Sequence, residues 1–402
     1  AMEQAETKVP EAARLLELFA MMAPDAVPLD LIGADRMAMK KRSEAIGELG
    51  EAALLTIDQD DLGDVVSIHP LVQRVAREQL AEAGRHDAVA AEATELLTRA
   101  FPSDVDDDRC WQTCARLGPH AMAVIDVAPC EGEAGQATGA LLNQLASYLS
   151  TRGEYEPAEP LYRHALAIGE QRLGPDHHDL ITNLDNLAAL LQATDRLDEA
   201  VPMMRRALAI GEKSLGADHP VVATTLNSLA EMLRDTNRLE EAEPMIRRAL
   251  AIDEHSFGPD HPDVARDLDS LAALLQEGGR TEEAEPMIRR ALAINEKRFG
   301  PDHPNVATDL GTLAALLQVT DRPDESELLY RRALAIDERS FGPDHPNVAN
   351  NLNNLAALLQ VTDRPDEAEP MMRRALGIFE ASLPEGHPWI EMARKNLAEM
   401  TQ

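Results

Sequence analysis

Six histidines are set at a constant interval: His177, His219, His261, His303, His345 and His387 follow one another at 42 residues. Imidazoles in register suggest metal coordination, but consecutive members of a stacked array stand roughly 10 Å apart, against about 2 Å for a metal–nitrogen bond. Each is therefore expected to cap the helix that follows it or to pack in the turn between repeats. Cys110 and Cys114 share a helical face but have no histidines nearby, so they read as packing residues and no metal is expected. The sequence carries no Ser–His–Asp pattern, zinc-protease helix, phosphate loop or dinucleotide fingerprint. The chain is accordingly expected to be no enzyme, with no catalytic residue and no cofactor.

The elements that position these residues follow from the same period. Gly-Pro-Asp-His at 174–177 has close copies beginning at Gly216, Gly258, Gly300 and Gly342, and Ala-Leu pairs begin at 165, 207, 249, 291, 333 and 375. Six repeats span about 137 to 383, with a closing helix after Pro388. Within one period, Val221 to Arg234 and Leu239 to Ile252 carry apolar residues at helical spacing, joined by an Asp-Thr-Asn-Arg turn. Gly258 can end the second helix at positive φ, Pro262 can open the next at its first position, and Pro244 is expected near a helix start. Trp389 in the final helix is expected to cover the end of the stack. The paired methionines 203/204 and 371/372, aligned with Tyr162 and Tyr330, read as core filling.

Composition agrees with an all-α chain: 402 residues, 3% aromatic, and no long apolar run. A net charge of −33 repels polyphosphate, so nucleic acid is an unfavourable partner and a cationic segment a better one. The Arg pairs from Arg205 and Arg206 through Arg373 and Arg374 are expected to be neutralised by glutamates of adjacent repeats. Three cysteines cannot build a disulfide framework and no signal segment opens the sequence, which points to a reducing cytoplasm and no membrane.

Small residues recur where a close helical hairpin needs them: Leu184, Leu187, Ala188, Leu191, Ala200, Met204 and Ala207, then Leu310, Leu313, Ala314, Leu317, Ser326, Tyr330 and Ala333. With the text NLAALLQ…RRALAI…GPDHP, this resembles the tetratricopeptide repeat in its 42-residue variety, found in kinesin light chains and many bacterial sensor proteins. The resemblance implies a right-handed superhelical solenoid of hairpins whose first helices line a concave groove. It places Asn143, Asp185, Asn227, Asp269, Gly311 and Asn353 in one inward column. Flanking columns hold Thr182, Thr224, Arg266, Thr308 and Asn350, and Ser150, Gln192, Arg234, Gln276, Gln318 and Gln360. Carboxamides donate and accept, so such a ladder can hold the backbone of a protein or peptide ligand. Gly311 interrupts the column.

The first 135 residues lack the period. Helices are expected from Glu11 to Met22, near Leu29, and from Met37 to Leu49. Strands are expected at Ala53 to Asp58 and Val65 to His69, then a helix from Pro70 to about Ala83. That order describes a winged helix. SIHPLVQRVARE at 67–78 and CWQTCARLGPHAMAV at 110–124 resemble the winged-helix domain and helical connector of NB-ARC-type signal-transduction NTPases with tetratricopeptide sensors. The expected division is thus a winged-helix-like domain over 1–85, a helical connector over 86–135, and repeats plus a capping helix over 136–402. The resemblance implies a sensor arm, the carboxy-terminal piece of a larger receptor whose nucleotide-binding module is absent from this chain. Ligand-induced changes in the repeat stack would be relayed through the connector. A free-standing adaptor for cargo peptides is the alternative, and DNA binding through Lys40, Lys41 and Arg42 a minor one. Residues 1–85 carry 16 acidic and 9 basic side chains, which disfavours DNA.

Overall fold

The structure, a computed structural model, describes residues 9–32, 39–102, 104–105, 108–383 and 387–400. Two compact units divide the chain at Leu215 and Gly216. The first holds the amino-terminal elements and the first two hairpins, so the compact division falls inside the repeats and not at residue 135. No linker separates connector from repeats because helix α4 (His86–Ala100) packs along α6 (Gly132–Thr151).

In the first unit, α1 (Pro10–Met21) buries Ala12, Leu15, Leu16, Phe19 and Ala20, a helical stripe at i, i+3, i+4, i+7 and i+8. It packs on α2 (Met39–Glu51) and α3 (Pro70–Glu82). Gln73 of α3 is buried and donates to the Phe19 and Met22 carbonyls at 3.2 and 3.0 Å, and Arg77 donates to Ala20 O at 2.6 Å, satisfying the carboxy-terminal carbonyls of α1. The expected hairpin is β2 (Thr56–Asp60) and β3 (Gly63–Ser67), closed where Asp60 faces Gly63 at φ 141°. Its strands are shifted from the expected ranges because Asp60 Oδ1 accepts from Leu62 N and tightens the turn to two residues. A strand missing from the sequence reading, β1 (Val27–Pro28), pairs with β3 and makes the order β1-β3-β2. Near Leu29 the chain forms one 3-10 turn, Leu29–Leu31, and residues 37 and 38 lie outside the described residues. Arg42 donates to the Leu29 and Ile32 carbonyls at 3.0 and 2.6 Å and Lys41 pairs with Glu11, leaving Lys40 at the surface. Helix α5 (Trp111–Ile125) sets Arg116 in an ion pair with Asp60 of the hairpin at 2.8 Å and buries Cys114, whose thiol burial pushes up to about 11. The first unit ends with α6, α7 (Tyr155–Leu173), α8 (Leu180–Ala193) and α9 (Leu197–Ser214).

The second unit contains four hairpins and a last helix. These are α10 (Pro220–Asp235) with α11 (Leu239–Phe257), α12 (Pro262–Glu277) with α13 (Thr281–Phe299), α14 (Pro304–Val319) with α15 (Pro323–Phe341), and α16 (Pro346–Val361) with α17 (Pro365–Ser382), then α18 (Pro388–Met400). Each leading helix starts at a His-Pro pair. The Nδ1 atoms of His219, His261, His303 and His345 accept from the backbone N–H two residues on, at 3.2–3.3 Å, as expected of capping residues. His69, outside the repeats, caps α3 in the same way at 3.1 Å. The rings of His261, His303 and His345 also stack on Phe257, Phe299 and Phe341.

Each hairpin turn needs a left-handed residue. Asn237, Asp321 and Asp363 take φ of 57–59°, and Gly279 takes 73°. Around Asn237 the bonds Arg238 N to Leu233 O and Asn237 N to Arg234 O close a Schellman motif. Pro244 is the sixth residue of α11, inside the helix and not at its start. Small side chains let the helices close: Ala314, Ser326 and Ala333 are fully buried, and Ser326 Oγ donates to Ala314 O at 2.7 Å. Met372 and Tyr330 fill the core as expected, with Met371 packed beside it. Just before the trailing helices, Arg280, Arg322 and Arg364 reach Glu243, Glu285 and Glu327 of the preceding hairpin at 2.6–2.8 Å. Arg290, Arg332 and Arg374 likewise meet Glu254, Glu296 and Glu338 at 2.6–2.7 Å, so the arginines are matched across repeats. Trp389 lies with its ring 5.7 Å from that of the buried Phe379 and stays 41% exposed, while Ile390 and Ala393 enter the core.

Candidate functional site

Where a trailing helix meets the next leading helix, the apolar packing is interrupted by polar side chains 14 residues apart. Asn295 of α13 donates to Asp309 of α14 at 2.8 Å, and Asn351 of α16 donates to Asp337 of α15 at 2.7 Å. At the α11–α12 junction both positions are carboxyls, Asp253 and Asp267, only 1% and 0% exposed. There Asn227 donates to Asp267, and Arg266 Nη2 lies 3.4 Å from Asp253 and 3.3 Å from Asp267. Burial raises both carboxyls above the ordinary range, against the pull of Arg266. One oxygen of each, Asp253 Oδ1 and Asp267 Oδ2, is buried with no partner among the described residues.

Two cavities open over the polar pairs. One, of about 340 Å³, is walled by α12, α13 and α14 and lined by Arg266, Asp269, Asn295, Phe299, Thr308 and Asp309 among others. The next, of about 460 Å³, shares Thr308 and is lined by Gln276, Gly311, Asp337, Asn350 and Asn351. A Cβ on Gly311 would stand 3.8 Å from Asn351 Oδ1, at ordinary van der Waals contact, so the space would also admit a small side chain there. In the first unit a smaller cavity of about 220 Å³ is lined by Asn143, Arg172 and Asn183.

The structure thus brings Arg266, Asp269 and Thr308 together in one cavity and Gln276, Thr308 and Asn350 in the other. Asn227 and Asn353 depart from the expected column: they are 5% and 4% exposed, Asn227 donating to Asp267 of the next leading helix and Asn353 donating to Asn354 and accepting from Asn396 of α18 at 3.1 Å. The neighbouring helices cover these two side chains, whose bonds join one helix to the next. Thr224 is exposed and bonds to its own helix at Pro220 O, and Arg234 lies 3.5 Å from Glu277. Gln318 and Gln360 are half-buried and line neither cavity. In the first unit Asn143, Asp185 and Gln192 are half-buried and Thr182 is exposed.

Segments 137–213, 183–255, 221–297, 268–339 and 310–381 match the model of the tetratricopeptide repeat. The chain belongs to the tetratricopeptide repeat family. No curated protein sequence matches it. Among solved structures, a Signal Transduction ATPase with Numerous Domains (STAND) protein with a tetratricopeptide repeat sensor from Pyrococcus horikoshii is similar over 97% of this chain, at 12% identity and a TM-score of 0.54. This chain spans 59% of that protein. BtubC (BKLC) from P. vanneervenii is 23% identical over 61% of this chain and 94% of its own, with a TM-score of 0.47. A kinesin light chain TPR-like repeat structure from Podosopora anserina is 22% identical over 51% of this chain and 97% of its own, also at 0.47. These likenesses concern the fold.

The tetratricopeptide hairpins carry an electrostatic pattern that the sequence reading missed. Burial and the neighbouring Asp309 push Asp269 up to about 8, burial and the charge of Glu296 push Asp309 up to about 6, and burial pushes Asp337 up to about 6. The signal was present: Asp253, Asn295 and Asp337 recur after the isoleucine of each AI(D/N)E, and Asp267, Asp309 and Asn351 precede a core leucine. Polar residues at core-facing positions of a tetratricopeptide helix need partners, and their 14-residue spacing pairs them. The cluster His177, His178 and Asp179 in the first unit is half-exposed to exposed, and His177 Nδ1 already caps Asp179 N. It is a surface turn.

Proposed function

We propose that this chain is a protein- or peptide-binding sensor arm of a larger cytoplasmic signalling NTPase, acting by holding a ligand and not by catalysis. The observation that carries the reading is the pair of adjoining polar cavities on the leading helices α12, α14 and α16, with buried hydrogen-bonding groups for floors. Extended peptides are held by such surfaces through backbone bonds to amides and side-chain pockets. The sensor assignment is supported by the STAND likeness, which spans the amino-terminal elements as well as the repeats. In this reading α1, α2, α3 and the three-stranded sheet are the winged helix that adjoins a nucleotide-binding module. DNA contact by that domain is disfavoured, since Lys41 and Arg42 are engaged within it.

The test is hydrogen exchange on the full chain with and without a saturating peptide selected by display. Protection of α12, α14 and α16, with altered exchange in residues 9–125, is the expected result. Protection confined to the trailing helices would refute groove binding, and unaltered exchange in residues 9–125 would refute the relay to the winged helix.

A further inference from the structure

The three polar junctions of the second unit differ in whether the chain supplies its own cation. At the α11–α12 junction Arg266 does so, with its guanidinium against Asp253, Asp263 and Asp267 at 3.1–3.4 Å. One repeat later the residue in Arg266's place is Thr308, and one repeat after that it is Asn350. Both are too short to reach a carboxyl floor, and both line cavities.

The α12–α13–α14 cavity holds more carboxyls than the other, Asp269 and Asp309 against Asp337. Asp309 is 5% exposed, its Oδ2 accepts from Asn295, and no partner for its other oxygen is found among the described residues. Asp269 lines the same cavity with neither hydrogen bond nor ion pair among the described residues. The charged groups around them are Arg266 from α12 and Glu296 from α13. Arg266 is already matched by three carboxylates, and Glu296 is paired with Arg332 at 2.7 Å. Neither neutralises Asp269 and Asp309. Phe299, stacked on His303 at 4.7 Å and still 38% exposed, adds an aromatic wall on which a planar cation can lie.

We propose that this cavity binds a cationic side chain of a peptide ligand, preferentially a guanidinium, seated between Asp309 and Asp269 as Arg266 is seated at the preceding junction. The proposal rests on the peptide-binding reading and names the chemistry it selects. Bidentate geometry favours guanidinium over ammonium, because a planar fork can meet two carboxyls at once. Burial holds both acids partly protonated near neutral pH, so the arriving cation displaces protons.

The experiment pans a random 12-residue phage library against the full chain. It then measures fluorescence anisotropy of the selected peptide, of its arginine-to-citrulline analogue, and of both on the variants Thr308→Arg and Asp269→Asn. Thr308→Arg places the chain's own guanidinium where Arg266 stands one repeat earlier. Thr308 is exposed, so the fold tolerates the change, and circular dichroism melts verify it. We expect arginine at one fixed position of the selected peptides, about 10-fold weaker binding by the citrulline analogue, and a similar loss on either variant. The citrulline analogue should bind the variants and the parent protein alike. Selected peptides without a fixed basic residue, or a citrulline effect that persists undiminished on Thr308→Arg, overturn the cation pocket and leave peptide binding standing. No enrichment overturns peptide binding itself, and the pocket with it.

Discussion

Asn295 donates its amide to Asp309 across 2.8 Å, joining the trailing helix of one hairpin to the leading helix of the next inside an otherwise apolar seam. Both are more than nine-tenths buried, so each is worth most in the other's presence.

Removing one partner exposes that dependence. Asn295→Leu strands the buried Asp309 carboxyl, and Asp309→Leu the buried amide; each should destabilise the second unit by roughly 1–3 kcal/mol. The double replacement should be less harmful than the sum. Urea titration of the four proteins yields the coupling, and strict additivity would count against a direct bond.

The raised acids predict a pH trend. Asp269, Asp309 and Asp337 hold protons in the folded chain up to about 8, 6 and 6, whereas in the unfolded chain they release them near the ordinary 3.8. The folded state therefore binds more protons, and their contribution to stability is largest below the unfolded value. It declines as pH rises through each folded value, at most about 1.4 kcal/mol per pH unit per group and less at a solvent-open cavity. Melting of Asp269→Asn between pH 5 and 8 should show a shallower decline than the parent; parallel curves would contradict the assignment.

Histidine capping should be measurable one repeat at a time. His303→Ala removes the acceptor for Asn305 N and the ring stacked on Phe299, and about 1 kcal/mol of stability should go with it. Amide exchange at Asn305 should quicken while that at Asn347, one repeat on, stays as before. His303→Asn, which keeps an acceptor, should recover part of the loss.

Backbone sign at the hairpin turns offers a stabilising change. Asp321 and Asp363 sit at φ 58° and 59°, where glycine is unstrained and β-branched residues are not. Asp363→Gly should be neutral or stabilising by a few tenths of a kcal/mol, and Asp363→Val destabilising by about 1–2 kcal/mol. Thermal melts rank the three, and a stable valine variant would mean the turn can adopt another form.

Much of the architecture was legible in the sequence. The 42-residue period, the His-Pro starts, the glycine stops and the buried Ala and Leu positions are local or repeated signals, and each determines its own backbone conformation wherever it stands. The amino-terminal hairpin was legible too, but its exact strands and the two-residue β1 were not, since so short a strand has no alternation to read.

The candidate site was decided by the tertiary structure. Asn227 and Asn353 look like groove ligands in the repeat pattern, yet neighbouring helices cover them, while Asp269 in the same column and Thr308 in an adjoining one reach a cavity. Asn295 with Asp309 and Asp337 with Asn351 gain their meaning only across a helix junction, because a buried polar atom is defined by what packs on it and not by its own residue. Sequence period settled which helices form; the packing distance between them settled which side chains remain open to a ligand.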